Sequence, residues 1–389
     1  MIILLLFLSL STFASAQTQV DRVMESIRKN NKTIQAERQF WQTQNLAAKT
    51  GNTPADPSVT FENLWGTPEG AGVQKDFSIS QQFDFPSSYA YRNRVSNTRI
   101  EQNSFLQRAS EQDVLLEANK LCLEIIYQNK KRLELERRAS ISGSLHNAVK
   151  RKLDLGDATI LDYNRIKVQH ISIQNDLLLQ KGKLEELKSR LTELNGGQEI
   201  SLADTIYPAV SPVPEFEVLD SIIEASSPVV KLFEKEIEVQ QSRLNLQKAL
   251  VLPKFETGYR SQSILGQSYR GFRIGISIPL WENKNRVKAQ NQALTHSASR
   301  LEEHRVEHRY KNKELYERYT SLKQALQESQ DLLSNLTTVQ MLNKALELGQ
   351  ISSINYSIEL SQYYSLRDRI LELEKEYNVV IAELYKSRL

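Results

Sequence analysis

The sequence predicts a mainly α-helical protein with a small β part, laid out as two consecutive repeats of one pattern. Three observations predict it. All ten prolines fall in two windows, Pro54–Pro86 and Pro208–Pro279. Beside those windows run stretches far longer than an ordinary helix with almost no glycine or proline. Inside them, short segments alternate apolar and polar residues.

The chain has 389 residues, 40% hydrophobic and 25% charged, with a net charge of +3. That balance is ordinary for a water-soluble protein and too small to argue for nucleic acid. Met1–Ala16 differs: it is an apolar run ending in Ala14-Ser15-Ala16, an A-x-A pattern that signal peptidase cuts before Gln17. Its n-region carries no Lys or Arg. The alternative, a single membrane anchor, needs ~20 apolar residues. An export signal over 1–16 is therefore expected. The only cysteine, Cys122, can form no disulfide within the chain and lies far from any lipidation position.

The first proline window contains a hairpin, about 57–85. Phe77, Ile79, Gln81, Phe83 and Phe85 alternate with Ser78, Ser80, Gln82 and Asp84, and Val59–Trp65 precedes them across the connector Gly66–Gln74. Alternation with period two places one set on an apolar face and the other on a polar face. The second window holds its counterpart, about 253–281. Phe272, Ile274, Ile276, Ile278 and Leu280 alternate with Arg273, Gly275, Ser277 and Pro279, and Phe255–Ser261 precedes them across Gln262–Gly271. In a soluble sheet the apolar face would cover a core; in an outer-membrane barrel it would face lipid.

The long helices follow the hairpins. Between Ser87 and Ser142 there is neither Gly nor Pro, and from Ile276 to Leu348 only Pro279. Helix interiors exclude both residues, because Gly costs backbone entropy and Pro removes a hydrogen bond. Ser87–Leu155, with only Gly143 as an interruption, would reach roughly 100 Å at 1.5 Å per residue. Leu315, Tyr319, Leu322, Leu326, Leu333 and Leu336 follow coiled-coil spacing, and Ile370, Leu373, Tyr377, Val380 and Leu384 repeat it.

Comparing the halves gives the repeat. Ile27 matches Ile223 and Pro57 matches Pro253, both 196 positions on. Ile79 matches Ile276 at 197, and Gly156 in LDLGDATILDY matches Gly349 in LELGQISSINY at 193. The expected units are 17–207 and 208–389, each a helix, a hairpin, a long helix, a glycine turn and a returning helix. Four strands cannot close a membrane barrel, which starts at about eight, and an open edge in lipid leaves backbone groups unpaired. If the strands span a membrane, several copies share one barrel.

The segments LPKFETGY and GFRIGISIPLWENKNRVKAQNQAL, with the paired turns LDLGDATILDYNRIKVQ and LELGQISSINYSIEL, resemble the TolC-type outer-membrane factors. The resemblance covers essentially all of the mature chain. It implies a homotrimer in the bacterial outer membrane, whose long coiled-coil helices form an α-barrel reaching into the periplasm. Four strands per chain would make a twelve-stranded transmembrane β-barrel, with Phe77, Ile79, Phe83, Phe272, Ile274, Ile276, Ile278 and Leu280 facing lipid. The expected partners are a periplasmic adaptor (membrane fusion protein) and an inner-membrane pump of the RND type, in a tripartite efflux system that the duct serves passively.

The resemblance places adaptor docking at the tip turns, Leu155, Gly156, Asp157 and Ala158 with Leu348, Gly349, Gln350 and Ile351. It places a periplasmic gate at Asp162, Tyr163, Arg165, Asn355, Tyr356 and Glu359, closed by inter-helix hydrogen bonds and ion pairs. Some members carry acidic rings after the second glycine; here the sixth residue after Gly349 is Asn355, and Glu359 is the substitute. The ending YYSLRDRILELEKEYNVVIAELYK looks somewhat like the CzcC-like heavy-metal efflux branch.

Two other readings stand beside the efflux duct: the same duct used for type I polypeptide secretion, and a periplasmic coiled-coil adaptor or scaffold. His304 and His308, four apart with Glu303 and Glu307 beside them, offer a two-point metal site, although an exposed charged helix face explains the spacing better. No phosphate-cradling glycine loop or serine elbow is present, so neither a cofactor nor an enzyme activity is expected.

Overall fold

A computed structural model describes residues 19–209, 212–335 and 339–389. The expected signal peptide, Met1–Ala16, and Leu336 of the helix seam lie outside the described residues. The first half runs α1 (Gln19–Asn30), α2 (Lys32–Ala47), β1 (Ser58–Trp65), β2 (Val73–Phe83), α3 (Pro86–Asp154) and α4 (Ile160–Leu194). The second runs α5 (Phe216–Ser226), α6 (Pro228–Ala249), β3 (Lys254–Ile264), β4 (Gln267–Ser277), α7 (Arg286–Asn335), α8 (Val339–Glu347) and α9 (Ser353–Leu384). A 3₁₀ turn at Lys386–Arg388 follows.

The helix starts are written in local chemistry. Pro86 and Pro228 occupy the first helical turns of α3 and α6, where a missing N–H costs nothing and the fixed φ is already helical. Asn31, Ser227 and Ser352 cap α2, α6 and α9 by accepting backbone N–H groups with their side chains. The 69 residues of α3 pass through Gly143 without a break. At 1.5 Å per residue the helix is about 100 Å long.

The four strands form one antiparallel sheet in the order β1-β2-β3-β4. Its central pair joins the two halves of the chain, with Phe83 opposite Phe255 and Ile79 opposite Tyr259. The outer edges of β1 and β4 have no partner within the described residues. The sequence places a connector at Gln262–Gly271, but the strands run through most of it: β3 reaches Ile264 and β4 begins at Gln267. Only Leu265 and Gly266 turn, with φ of +49° and +78°. Positive φ at both central residues is the two-residue loop whose twist matches the flanking strands.

Apolar packing divides into three clusters. Val23 and Ile27 of α1 cover Leu115, Ile125 and Ile126 of α3 together with Leu187 and Leu191 of α4. In the second half Leu219 and Ile223 of α5 cover Tyr319 and Leu322 of α7 with Leu373, Val380 and Leu384 of α9. Each long helix pair thus buries one stripe under a short helix, as the coiled-coil spacing of Leu315–Leu326 and Ile370–Leu384 predicts. The third cluster joins both pairs at their far end.

Nearer the sheet, polar side chains replace leucine between helices. Gln290 of α7 donates to Gln240 Oε1 of α6 at 2.6 Å, and Gln240 and Gln102 of α3 both donate to Glu236. One hydrogen-bonded path therefore crosses three helices, and buried polar groups are tolerated because they are paired.

In the last third of α3 sits a buried charge. The Arg138 guanidinium contacts Asp368 of α9 at 2.8 Å and Glu134 at 3.1 Å, and lies 4.3 Å from the Tyr364 ring centre. The acids hold its proton more tightly than usual, Asp368 most strongly, against the opposing effect of burial. Without Arg138, Glu134 keeps Arg137 and Arg367, and Asp368 is open to water, so what is lost is the set of charged hydrogen bonds. Arg138→Ala is expected to lower stability by about 1–3 kcal/mol. Thermal unfolding of the purified variant checks this, and a melting temperature equal to the parent's would contradict it.

Candidate functional site

Two surfaces of this fold bear on function: the sheet and the far end of the helices. Register puts Val59 and Phe61 beside Ile79 and Phe77, then Tyr259 beside Phe272, on a single face. Ile274 and Ile276 continue it. Phe272 is 90% exposed and Ile274 82%. A soluble sheet would bury these side chains; here none of the described residues covers them, and a contiguous exposed apolar patch marks an interaction or membrane surface. The opposite face carries paired charges, Arg260 with Asp76 at 3.2 Å and Arg273 with Glu256 at 3.9 Å.

Of the residues expected to face lipid, Phe77, Ile79, Phe272, Ile274 and Ile276 lie in strands and are exposed, while Phe83 is half-buried at the end of β2. Ile278 and Leu280 are exposed but lie beyond β4, which ends at Ser277 opposite Lys254. Pro279 has no N–H to offer a ladder, so the alternation outlasts the strand.

At the other end, both helix pairs reverse through the same device. After α3, Gly156 N–H bonds to the Leu153 carbonyl at 3.0 Å and Asp157 N–H to that of Lys152 at 2.7 Å. After α8, Gly349 bonds to Leu346 at 3.1 Å and Gln350 to Ala345 at 2.9 Å. These are Schellman closures, with the glycines at φ of +81° and +68°. Leu155 and Leu348, one residue earlier, point into solvent. Ala158 and Ile351, two residues later, tuck into one cluster with Tyr163, Tyr356, Leu360 and Val149. The structure therefore brings the two turns together.

The gate candidates divide. Asp162, expected to bridge helices, closes a capping box instead: its carboxylate accepts from Thr159 Oγ1 at 2.8 Å and Thr159 N–H at 3.2 Å. Threonine at the cap and an acid three residues on compete successfully for that role. Tyr163 packs on the His146 ring of α3. Tyr356 is buried and its hydroxyl donates to Asn343 of α8 at 2.6 Å. Asn355 sits in the first turn of α9, its N–H on Ser352. Arg165 and Glu359 are exposed and form no ion pair among the described residues.

Besides Tyr356–Asn343, the links that cross between helices here involve residues that spacing alone passes over. Ser357 of α9 donates to Gln169 of α4 at 2.5 Å, and Ser142 of α3 bonds to His170 of α4 at 2.8 Å. Small polar residues at inward positions of an apolar seam were the available signal.

His304 and His308 turn inward rather than lying on an exposed charged face. His304 packs on Phe233 of α6 and on His308, and His308 Nδ1 meets the Asn312 amide at 3.4 Å. Burial depresses the proton affinity of both rings. Among the described residues, no three or more His, Cys, Asp or Glu side chains are arranged to hold a metal ion, and no helix is long and apolar enough to cross a membrane.

No protein-family model matches the chain, and no curated protein sequence is similar to it. Solved structures are. CusC, in a structure reporting conformational changes that accompany folding and transmembrane channel formation, superposes with a TM-score of 0.77 at 14% identity, over 96% of this chain and 92% of that one. A membrane protein from Pseudomonas aeruginosa gives 0.74 at 11% identity, over 96% and 92%. The MtrE outer membrane channel of Neisseria gonorrhoeae, in its open state, gives 0.71 at 12% identity, over 95% and 88%. Over nearly its whole described length, the chain has the fold of the outer-membrane channel proteins.

Proposed function

We propose that the chain is one subunit of a homotrimeric outer-membrane duct of the TolC type, through which an inner-membrane pump discharges its substrates passively. One observation carries this reading: a four-stranded sheet with an uncovered apolar face, charges on its other face and two bare edges, attached to helices about 100 Å long. Three copies would supply twelve strands, pairing each β1 with a neighbour's β4 and leaving no edge in lipid. The paired charges would then line water, and the helices would continue the tube into the periplasm. Residues 17–207 and 208–389 act as two structural repeats, each giving one hairpin and one helix pair.

A periplasmic adaptor would dock on the tips, where Leu155 and Leu348 project from the glycine turns. The gate lies just above them. Tyr163 and Tyr356 hold it through packing, and Arg165, Asn355 and Glu359 present the polar surface that lines it. The fold has no catalytic role to fill.

Ile274→Arg places a charge on the apolar face and is expected to cost about 2–4 kcal/mol of membrane stability. Gly271→Arg, on the polar face with open space around it, is expected to be tolerated. Membrane fractionation with native mass spectrometry checks both: the parent and Gly271→Arg should be detergent-extracted trimers. A parent protein that is monomeric in plain buffer would refute the duct.

Gly156→Ala meets no side-chain clash but must hold a left-handed φ, at about 1–2 kcal/mol. Hydrogen exchange at residues 155–158 should accelerate, with residues in the middle of α3 unchanged. Leu155→Asp combined with Leu348→Asp should abolish adaptor co-purification while the trimer persists. Retained co-purification would remove the tips from the docking surface.

A further inference from the structure

The uncovered face of the sheet is not apolar throughout. Register carries that face across one row from Asn63 through Lys75 to Ser263, and across the next from Phe77 through Ser261 to Arg270. Among the described strand residues, Lys75 and Arg270 are the only charged side chains on it. Both stand near the hairpin turns, at the end of the sheet away from the helices, and the band of Phe272, Ile274 and Ile276 begins below them.

Their depth is marked by a neighbour. Trp65 ends the same face of β1 one row beyond Lys75 and is exposed. Tryptophan settles where hydrocarbon gives way to headgroups. A charge deep in hydrocarbon is costly, but at its border a long side chain reaches the headgroups.

Nothing in the chain neutralises these two cations. On the opposite face of the strands every cation has a carboxylate: Lys254 with Glu282 at 3.2 Å, Arg260 with Asp76 at 3.2 Å and Arg273 with Glu256 at 3.9 Å. Lys75 and Arg270 are exposed and form no ion pair among the described residues, and Glu69, in the connector past Trp65, joins neither. Neighbouring strands lie about 4.8 Å apart, so β2 and β4 stand about 10 Å apart across β3. Two long side chains can close that gap onto one anion, above the Ser261 and Ser263 hydroxyls that lie between them.

We propose that Lys75 and Arg270, with Ser261 and Ser263, bind the phosphate of an anionic lipid in the membrane leaflet farther from the helices. Arginine offers a planar fork to phosphate oxygens, lysine a point charge, and the hydroxyls two further donors. The rows below favour a lipid over a soluble anion. Acyl chains hanging from a headgroup held there would lie on Phe77, Tyr259 and Phe272, which a free phosphate leaves bare.

The lipid site rests on the duct reading, which puts this face in a membrane. Native mass spectrometry of the detergent-extracted full-length protein tests it, with lipid A carrying both phosphates as the probe. The parent should hold that lipid at least about tenfold more tightly than lipid A stripped of its phosphates. Lys75→Gln/Arg270→Gln should lose the preference, and Arg273→Gln, on the polar face, should keep it. If the double variant does not assemble, the two lipids on the parent decide. Equal retention of both lipids by the parent, an undiminished preference in an assembled double variant, or displacement of the lipid by an equal concentration of inorganic phosphate would each overturn the proposal. A detergent-extracted trimer that fails these tests keeps the duct and loses the lipid site, whereas a monomer in plain buffer loses the duct itself.

Discussion

The structure depends on a constraint of hydrogen bonding: a sheet of four strands has two edges, and each edge is a row of backbone groups that need partners. In water those groups are solvated; in lipid they are not. The chain answers on the polar face by pairing its charges, Asp76 with Arg260 and Glu256 with Arg273, and on the apolar face by exposing aromatic and branched side chains. The edges are the part it does not answer alone. In the proposed duct, those edges would be met by the edges of neighbouring copies.

The helices obey the same logic in a different medium. A helix about 100 Å long has no globular interior to cover, so each pair buries only a stripe, under α1 in one half and α5 in the other. Between the apolar clusters the contacts turn polar or ionic, as at Gln102–Glu236–Gln240–Gln290 and at Arg138–Asp368. Leucine stripes supply stability, and paired polar groups fix one helix against the next in a single register.

Much of this was legible in the sequence because its causes are local. Proline confinement, period-two alternation and the glycines after Leu155 and Leu348 each act within a few residues, and the elements they announce are present. Ends were less legible. Leu265 at positive φ is a conformation that branched and bulky residues seldom adopt, so a ten-residue connector was the natural expectation where a two-residue turn exists. The alternation that runs on through Ile278 and Leu280 has a strand's pattern without a strand's hydrogen bonds. At the tip, the competition between local and distant partners for Asp162 is decided by a threonine three residues earlier. Lys75 and Arg270 lie in separate hairpins, and only the register of the sheet sets them on one face. Spacing within one helix pointed to His304 and His308 instead.

The pairing of β2 with β3 has a consequence for biogenesis. Its partners are separated by more than 170 positions, from Phe83 with Phe255 to Lys75 with Ser263. A nascent chain that has emerged only through α4 therefore owns one isolated hairpin, and isolated hairpins are marginal in water. The apolar sheet comes into being only once β3 and β4 arrive, after most of the polypeptide has been made. Closing so distant a contact is slow. The delay keeps the apolar sheet from forming before α3, α4 and α6 have been made, while α7 to α9 follow it.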